Sequence, residues 1–170
     1  VRGDRQTHIR KYLNAICESE DSMIVNNNAG AVLLCLNQLA DGGEVICSRG
    51  QLVEIGGSFR IPDIIAKSGA ILREVGTTNR THLRDYEKAI NSKTKLILQV
   101  HTSNYLISGY TKSVELSKLI NLGKKYNIPV MSDWGSGSFI KMEKKIGIQE
   151  ATIKNILKKG PDLVTFSGDK

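Results

Sequence analysis

The chain has 170 residues, of which 40% are hydrophobic and 24% charged, and its formal net charge is +7. This composition excludes a disordered chain, and no apolar run reaches the ~20 residues that a membrane-spanning helix needs. The sequence therefore predicts one soluble domain, or part of one, in the cytoplasm.

Strand-like apolar runs alternate with helical patterns along the chain, which is typical of an α/β domain with a mostly parallel sheet and helices on both faces. The first helical pattern is carried by Ile9, Tyr12, Leu13 and Ile16, at the spacing of one helix face. The further predicted helices, in chain order, are 29–40, 61–67, 82–91, 113–126 and 149–159. The predicted strands are 23–25, 44–47, 71–75, 95–100, 129–133 and 162–166. We expect a single domain that is incomplete at one or both ends.

Small and polar residues follow each predicted strand. In open parallel sheets, ligands bind beyond the carboxyl ends of the strands, so this edge is the expected binding site. The alternative is that these residues only form turns, for which Gly, Asn, Ser and Asp are the usual choices. The segments concerned are 26–30, 48–50, 76–80, 101–104, 133–137 and 167–170.

Three of these segments have a specific chemical interpretation. Asn28, Ala29 and Gly30 precede a helix, whose first N–H groups and dipole suit a single phosphate. Asp133 ends a buried strand, where a carboxylate needs a positive partner or good hydrogen bonds, although it could also cap a turn. Lys170 follows an apolar strand, where a partly desolvated amine could form a Schiff base, although most lysines are surface residues. Together the three could hold pyridoxal 5′-phosphate (PLP).

The sequence resembles the bacterial selenocysteine synthase family, the L-seryl-tRNA(Sec) selenium transferases, which belong to fold type I of the PLP-dependent enzymes. The resemblance covers essentially the whole chain. The matching stretches are 24–29, 48–63, 74–82, 100–105, 133 with 135–137, and 163–170. Two positions depart from the family pattern, since Gly30 stands where alanine is usual and Trp134 where leucine is usual.

The resemblance implies a role for individual residues. Lys170 would form the Schiff base with PLP and act as the base for the α-proton, and Asp133 would pair with the ring nitrogen. The segment from Asn28 to Gly30 would bind the cofactor phosphate together with Ser167. His101 or Asn104 would lie against the ring or its 3-oxygen.

Three arginines are candidates to bind selenophosphate or the tRNA, because a guanidinium group matches the geometry of phosphate. The alternative for each is a structural ion pair with Glu54, Asp63 or Glu74. The arginines are Arg49, Arg60 and Arg80.

The implied reaction replaces the hydroxyl of a serine esterified to tRNA(Sec) with selenium from selenophosphate. The resemblance also implies a homo-oligomer, a decamer, and the absence from these residues of the N-terminal tRNA-binding segment and the C-terminal domain. We therefore expect the fragment to be inactive alone. One rival is a related PLP-dependent lyase acting on a small amino acid or sugar acid, and another is a non-catalytic basic RNA-binding module.

Two further features of the sequence are weaker guides to function. Lysines crowd between Ser138 and Lys159, which indicates either a solvated helix face or a surface for a phosphate-bearing partner. Cys17, Cys35 and Cys47 contain no Cys-x-x-Cys pair. We expect them to be reduced thiols, with neither a metal site nor a disulfide framework.

Overall fold

The computed structural model describes residues 5–140 and 151–168, which form a twisted sheet covered by helices. Five strands form the sheet in the order β4-β1-β5-β6-β7, and every neighbouring pair is parallel. A separate antiparallel hairpin contains β2 and β3. The strands are β1 (Glu44–Ser48), β2 (Glu54–Ile55), β3 (Phe59–Arg60), β4 (Ile71–Val75), β5 (Thr94–Val100), β6 (Val130–Trp134) and β7 (Leu163–Phe166).

The described residues form six α-helices, of which the first two precede β1, and a 3₁₀ turn at Arg49–Gln51 follows β1. Because each parallel strand must be reached by a crossover, helices lie between successive strands of the sheet. The helices are α1 (Arg5–Cys17), α2 (Asn28–Ala40), α3 (Ile61–Lys67), α4 (Leu83–Ala89), α5 (Leu116–Tyr126) and α6 (Ile153–Leu157).

The two faces of the sheet carry separate apolar cores, as expected when successive side chains of a strand point in opposite directions. In β1, Val45 packs with α2 and α3, whereas Ile46 packs with α4, α5 and α6. In β5, Leu96 and Ile97 divide between the faces in the same way. The predicted fold class, a mostly parallel sheet with helices on both faces, is confirmed.

Helix α2 begins with a side-chain cap. Asn27 has extended backbone angles, and its Oδ1 accepts a hydrogen bond of 2.8 Å from the Gly30 N–H. Asparagine is among the best N-cap residues because it satisfies an N–H that has no partner within the helix. The cap fixes where α2 starts and therefore where Asn28 stands.

We predict that Asn27→Ala lowers the free energy of unfolding by about 1 kcal/mol, because the capping bond is lost. The measurement is urea-induced unfolding of the purified protein. Asn26→Ala is the matched control, because Asn26 is exposed and caps no helix. Equal losses in the two variants would contradict a capping role for Asn27.

The prediction of a strand at 23–25 was wrong. Met23 and Ile24 are largely exposed, and this segment is held to α1 instead of joining the sheet. Gln6 bonds to the backbone of Ile24 at both ends of its amide, with its Nε2 donating at 2.5 Å and its Oε1 accepting at 3.0 Å. Three apolar residues are too few to distinguish a buried strand from such a connection.

Other differences concern lengths and one missed element. The hairpin of β2 and β3 was not predicted, because each strand has only two residues. The predicted helix 149–159 begins outside the described residues, and its described part is the short α6.

No helix among the described residues is long and apolar enough to cross a membrane. Cys17, Cys35 and Cys47 all have free thiols.

Candidate functional site

Asp133 is a buried carboxylate near the carboxyl end of β6, with 1% of its surface exposed. Its Oδ1 accepts hydrogen bonds from Asn28 Nδ2 at 2.8 Å and from Thr165 Oγ1 at 2.9 Å. Both donors are neutral, and no cation among the described residues pairs with this carboxylate. Burial therefore raises the pKa of Asp133 above its ordinary value, because desolvation disfavours the charged form.

The fold collects these three residues from distant parts of the sequence. Asp133 pairs in register with Thr165 of β7, so their side chains lie on the same face of the sheet. Asn28 is the first residue of α2 and reaches this face from 105 residues away. Thr165 was not predicted as a site residue. The available signal was a polar residue at an inward-facing position of an apolar strand.

His101 and Trp134 form a stacked aromatic pair beside Asp133. Their ring centroids are 3.8 Å apart and their planes differ by 10°. The backbone N–H of His101 donates to the Asp133 carbonyl oxygen at 2.8 Å, which ties the end of β5 to the end of β6. His101 therefore lies next to Asp133, and Trp134 is a neighbour that was not predicted as a site residue.

The start of α2 opens into a cavity of about 310 Å³. Ala29 and Gly30 line it from the helix, and Arg60 lines it from the β2–β3 hairpin. The Gly30 N–H is already used by the cap, and the side-chain amide of Asn28 is committed to Asp133. A phosphate here would therefore depend on the remaining backbone N–H groups, because Arg60 is paired with Glu54 and Asp63 adds a carboxylate to the same wall.

Ser167 follows β7 and lies directly against Gly137, in the loop after β6. A Cβ atom on Gly137 would overlap the carbonyl oxygen of Ser167 and come within 2.6 Å of Phe166. Gly137 is therefore required for the two loops to pass each other. This contact sets the path of the chain immediately before Lys170, which itself lies outside the described residues, as do Lys141, Lys144 and Lys145.

The candidate arginines do not converge on Asp133. Arg49 Nε is 2.8 Å from a Glu74 oxygen, and Arg60 Nε is 2.5 Å from a Glu54 oxygen, which are pairings that the sequence analysis had named as alternatives. Arg80 instead lies over the ring of Tyr110.

Asn104 points toward the hairpin of β2 and β3. Its Nδ2 donates to the backbone carbonyl of Glu54 at 2.9 Å. In the structure, Asn104 thus joins the loop after β5 to this hairpin, and the hydrogen bonds to the Asp133 carboxylate come from Asn28 and Thr165 instead.

Three comparisons place the chain among known proteins. A family model described as "L-seryl-tRNA selenium transferase" matches residues 1–170. The L-seryl-tRNA(Sec) selenium transferase of Nitratidesulfovibrio vulgaris is 56% identical over 169 residues, which are 99% of this chain and 36% of that protein. The chain thus spans a little over a third of the length of such relatives.

Two solved structures share the fold. A D-glucosaminate-6-phosphate ammonia-lyase superposes with a TM-score of 0.79 at 18% identity, over 96% of this chain and 44% of that one. An aspartate aminotransferase from Thermotoga maritima gives a TM-score of 0.62 at 21% identity, over 89% of this chain and 40% of that one. These two likenesses concern the fold alone. The family model, which matches every residue, shows that the chain belongs to the SelA family of L-seryl-tRNA selenium transferases.

Proposed function

We propose that the full-length protein containing this chain is a PLP-dependent enzyme that converts seryl-tRNA(Sec) to selenocysteinyl-tRNA(Sec), with selenophosphate as selenium donor. The observation that carries the proposal is the buried Asp133 carboxylate, which has two neutral hydrogen bonds and no described cation. The chain that contains Asp133 is also 56% identical to a protein named for this reaction.

The residues present fit PLP at both ends of the cofactor. At one end, Asp133 lacks a cation, and the buried Oδ1 of Asn28 lacks a hydrogen-bond donor among the described residues. A protonated pyridine nitrogen supplies a positive charge and an N–H donor together. At the other end, the cavity beside Ala29 and Gly30 lies at the start of α2, whose backbone N–H groups are a suitable setting for phosphate.

When bound, PLP withdraws electrons from the α-carbon of an amino acid, which eases loss of the α-proton and of the β-hydroxyl. The chain supplies the groups that hold and orient it. Asp133 keeps the ring nitrogen protonated, and the hydrogen bonds from Asn28 and Thr165 fix the direction of the carboxylate. His101, stacked on Trp134, gives a rigid aromatic wall beside the ring.

Lys170 is proposed as the Schiff-base lysine and as the base that removes the α-proton, with Ser167 contributing to the phosphate site. The proposed setting is a cytoplasmic homo-oligomer, a decamer, with the tRNA-binding segment and the C-terminal domain supplied by the rest of the protein.

The proposal predicts that the full-length protein absorbs visible light and that borohydride reduction abolishes the band. Peptide mapping should then find a phosphopyridoxyl group on Lys170. Lys158→Ala is a control, since it removes an exposed lysine that pairs with Glu18, away from the site. A colourless protein that stays colourless with added PLP would refute the cofactor assignment.

The substrate class needs a second measurement, because a PLP-dependent lyase acting on a small amino acid or sugar acid would give the same spectrum. We expect the protein to bind seryl-tRNA(Sec) in preference to seryl-tRNA of another acceptor type. Equal binding of both tRNAs, or of neither, would favour the lyase.

A further inference from the structure

Arg80 is the candidate arginine that forms no ion pair with a carboxylate in the described part of the chain. Arg49 and Arg60 are each held by a glutamate, whereas the guanidinium carbon of Arg80 lies 3.8 Å from the centre of the Tyr110 ring. Arg80 also lines a cavity of about 360 Å³ at the carboxyl ends of β1 and β5. A guanidinium without a carboxylate partner is suited to phosphate. Its position in the cavity wall therefore matters to a phosphate-bearing substrate.

Arg80 ends a tight turn that follows β4. Its N–H donates to Thr77 Oγ1 at 3.2 Å. Its carbonyl accepts from the Thr77 N–H at 2.9 Å and from the Thr77 hydroxyl at 3.0 Å. Residues 77–79 are exposed, so the turn itself buries little surface. The position of Arg80 therefore depends on how this turn is attached to the rest of the fold.

Three buried hydroxyl groups attach the turn to the sheet. Thr81 directly follows Arg80, and its Oγ1 is 2.7 Å from the Oγ of Ser48, the last residue of β1. The hydroxyl of Tyr86, in α4, forms hydrogen bonds with both the side chain and the backbone of Ser48. Ser48, Thr81 and Tyr86 are at most 5% exposed. The three hydroxyls thus form one chain from α4, through the end of β1, to the turn of Arg80.

Tyr86 is the fixed end of this chain, because its ring belongs to the apolar core that also contains Ile46 and Val75. Burial raises the pKa of Tyr86, so its hydroxyl stays protonated and can donate a hydrogen bond. In a chain of buried hydroxyls, removal of one group leaves its neighbour without a partner. Loss of the Tyr86 hydroxyl should therefore loosen Ser48, Thr81 and the turn together.

We infer that Tyr86 is a positioning residue for Arg80 and that it acts through Ser48 and Thr81. Tyr86 is not among the described residues that line the cavity, so it does not touch a substrate bound there. Its contribution is to hold the guanidinium of Arg80 at one place in the wall. The inference rests on the proposed function, because both proposed substrates, selenophosphate and seryl-tRNA(Sec), carry phosphate groups that Arg80 could bind.

The test is the steady-state kinetics of the full-length, PLP-loaded protein, with each of the two substrates varied in turn. Tyr86→Phe keeps the ring and removes the hydroxyl. We expect it to raise the KM for one substrate about fivefold and to leave kcat within about twofold, because it weakens a phosphate contact away from the reacting atoms. The substrate whose KM rises is the one that Arg80 binds.

Tyr126→Phe is the matched control. It makes the same chemical change to a hydroxyl that donates to Glu87 at 3.0 Å, and Tyr126 is not among the described residues that line the cavity. We expect it to change neither KM. An effect of Tyr126→Phe equal to that of Tyr86→Phe would overturn the inference.

A double-mutant cycle tests the route through Arg80. Arg80→Gln should raise the same KM, and adding Tyr86→Phe should have little further effect, because the guanidinium that Tyr86 positions is gone. Thr81→Val removes the hydroxyl next to Arg80 and should match Tyr86→Phe, whereas Thr81→Ser keeps a hydroxyl and should preserve the normal KM. This pair of Thr81 variants also carries the test if Tyr86→Phe fails to fold.

Hydrogen exchange separates this inference from the proposed function. Tyr86→Phe should speed amide exchange in residues 76–81 about fivefold, whether or not the protein is a transferase. Unchanged exchange, unchanged KM values in an active protein, or an equal effect of Tyr86→Phe with and without Arg80 would overturn the inference. Faster exchange in a protein without transferase activity would refute the proposed function and would still support the hydroxyl chain as the anchor of the turn.

Discussion

Asp133→Asn is expected to reduce the proposed transferase activity of the full-length protein by about 100-fold, because the protonated ring nitrogen of PLP would lose the carboxylate that pairs with it. Asparagine has nearly the same shape and can keep the bonds to Asn28 and Thr165. It cannot keep the ring nitrogen of PLP protonated. The visible absorbance of the variant should weaken or shift, and PLP should be lost more readily on dialysis.

The same substitution should have the opposite effect on the stability of the cofactor-free protein. Because burial raises the pKa of Asp133 above its ordinary 3.8, the folded state binds more protons than the unfolded state between the two values. The free energy of unfolding therefore falls as the pH rises through that window. Asp133→Asn removes this fall, so we expect the variant to equal or exceed the unsubstituted protein in stability above the window.

Asp162→Asn is the control for both effects. Asp162 is exposed and accepts a bond from the Val130 N–H at 2.8 Å, at the other end of β6. We expect it to leave the spectrum unchanged. If Asp133→Asn kept full activity and spectrum, Asp133 would have only a structural role and the PLP assignment would lose its main support.

Gly137→Ala should cost about 2 kcal/mol or more of the free energy of unfolding, and should also impair cofactor binding. The added methyl group would overlap the backbone carbonyl of Ser167, which cannot move away as a flexible side chain could. Either the loop after β6 or the segment leading to Lys170 must shift. Thermal unfolding and the yield of phosphopyridoxyl-Lys170 measure the two consequences.

Gly56→Ala is the matched control, because a Cβ atom there has no neighbour within 4 Å and the backbone is not in the left-handed region. It should be close to neutral. If Gly137→Ala were equally neutral, the close passage of the loops after β6 and β7 would not constrain the site.

Periodicity in the sequence determined most of the architecture. The α3 and β4 segments were predicted with the bounds that the structure shows, because Pro62 near the helix start and Gly69 after its end mark the boundaries. The prediction of a strand at 23–25 was wrong because Gln6 of α1 binds the backbone of Ile24 and leaves Met23 exposed. A run of three apolar residues does not reveal such a contact.

The sequence by itself also determined the family and the candidate residues Asp133 and His101, because a strand-end position follows from local pattern, and it placed Gly30 near the start of a helix. Only the tertiary structure decided which partners these and the other candidate residues contact. It bonded Asn28 to Asp133, brought in Thr165, and turned Asn104 toward the hairpin. Partners so distant in sequence depend on strand order and register, and these are set by the packing of the whole sheet rather than by any local pattern.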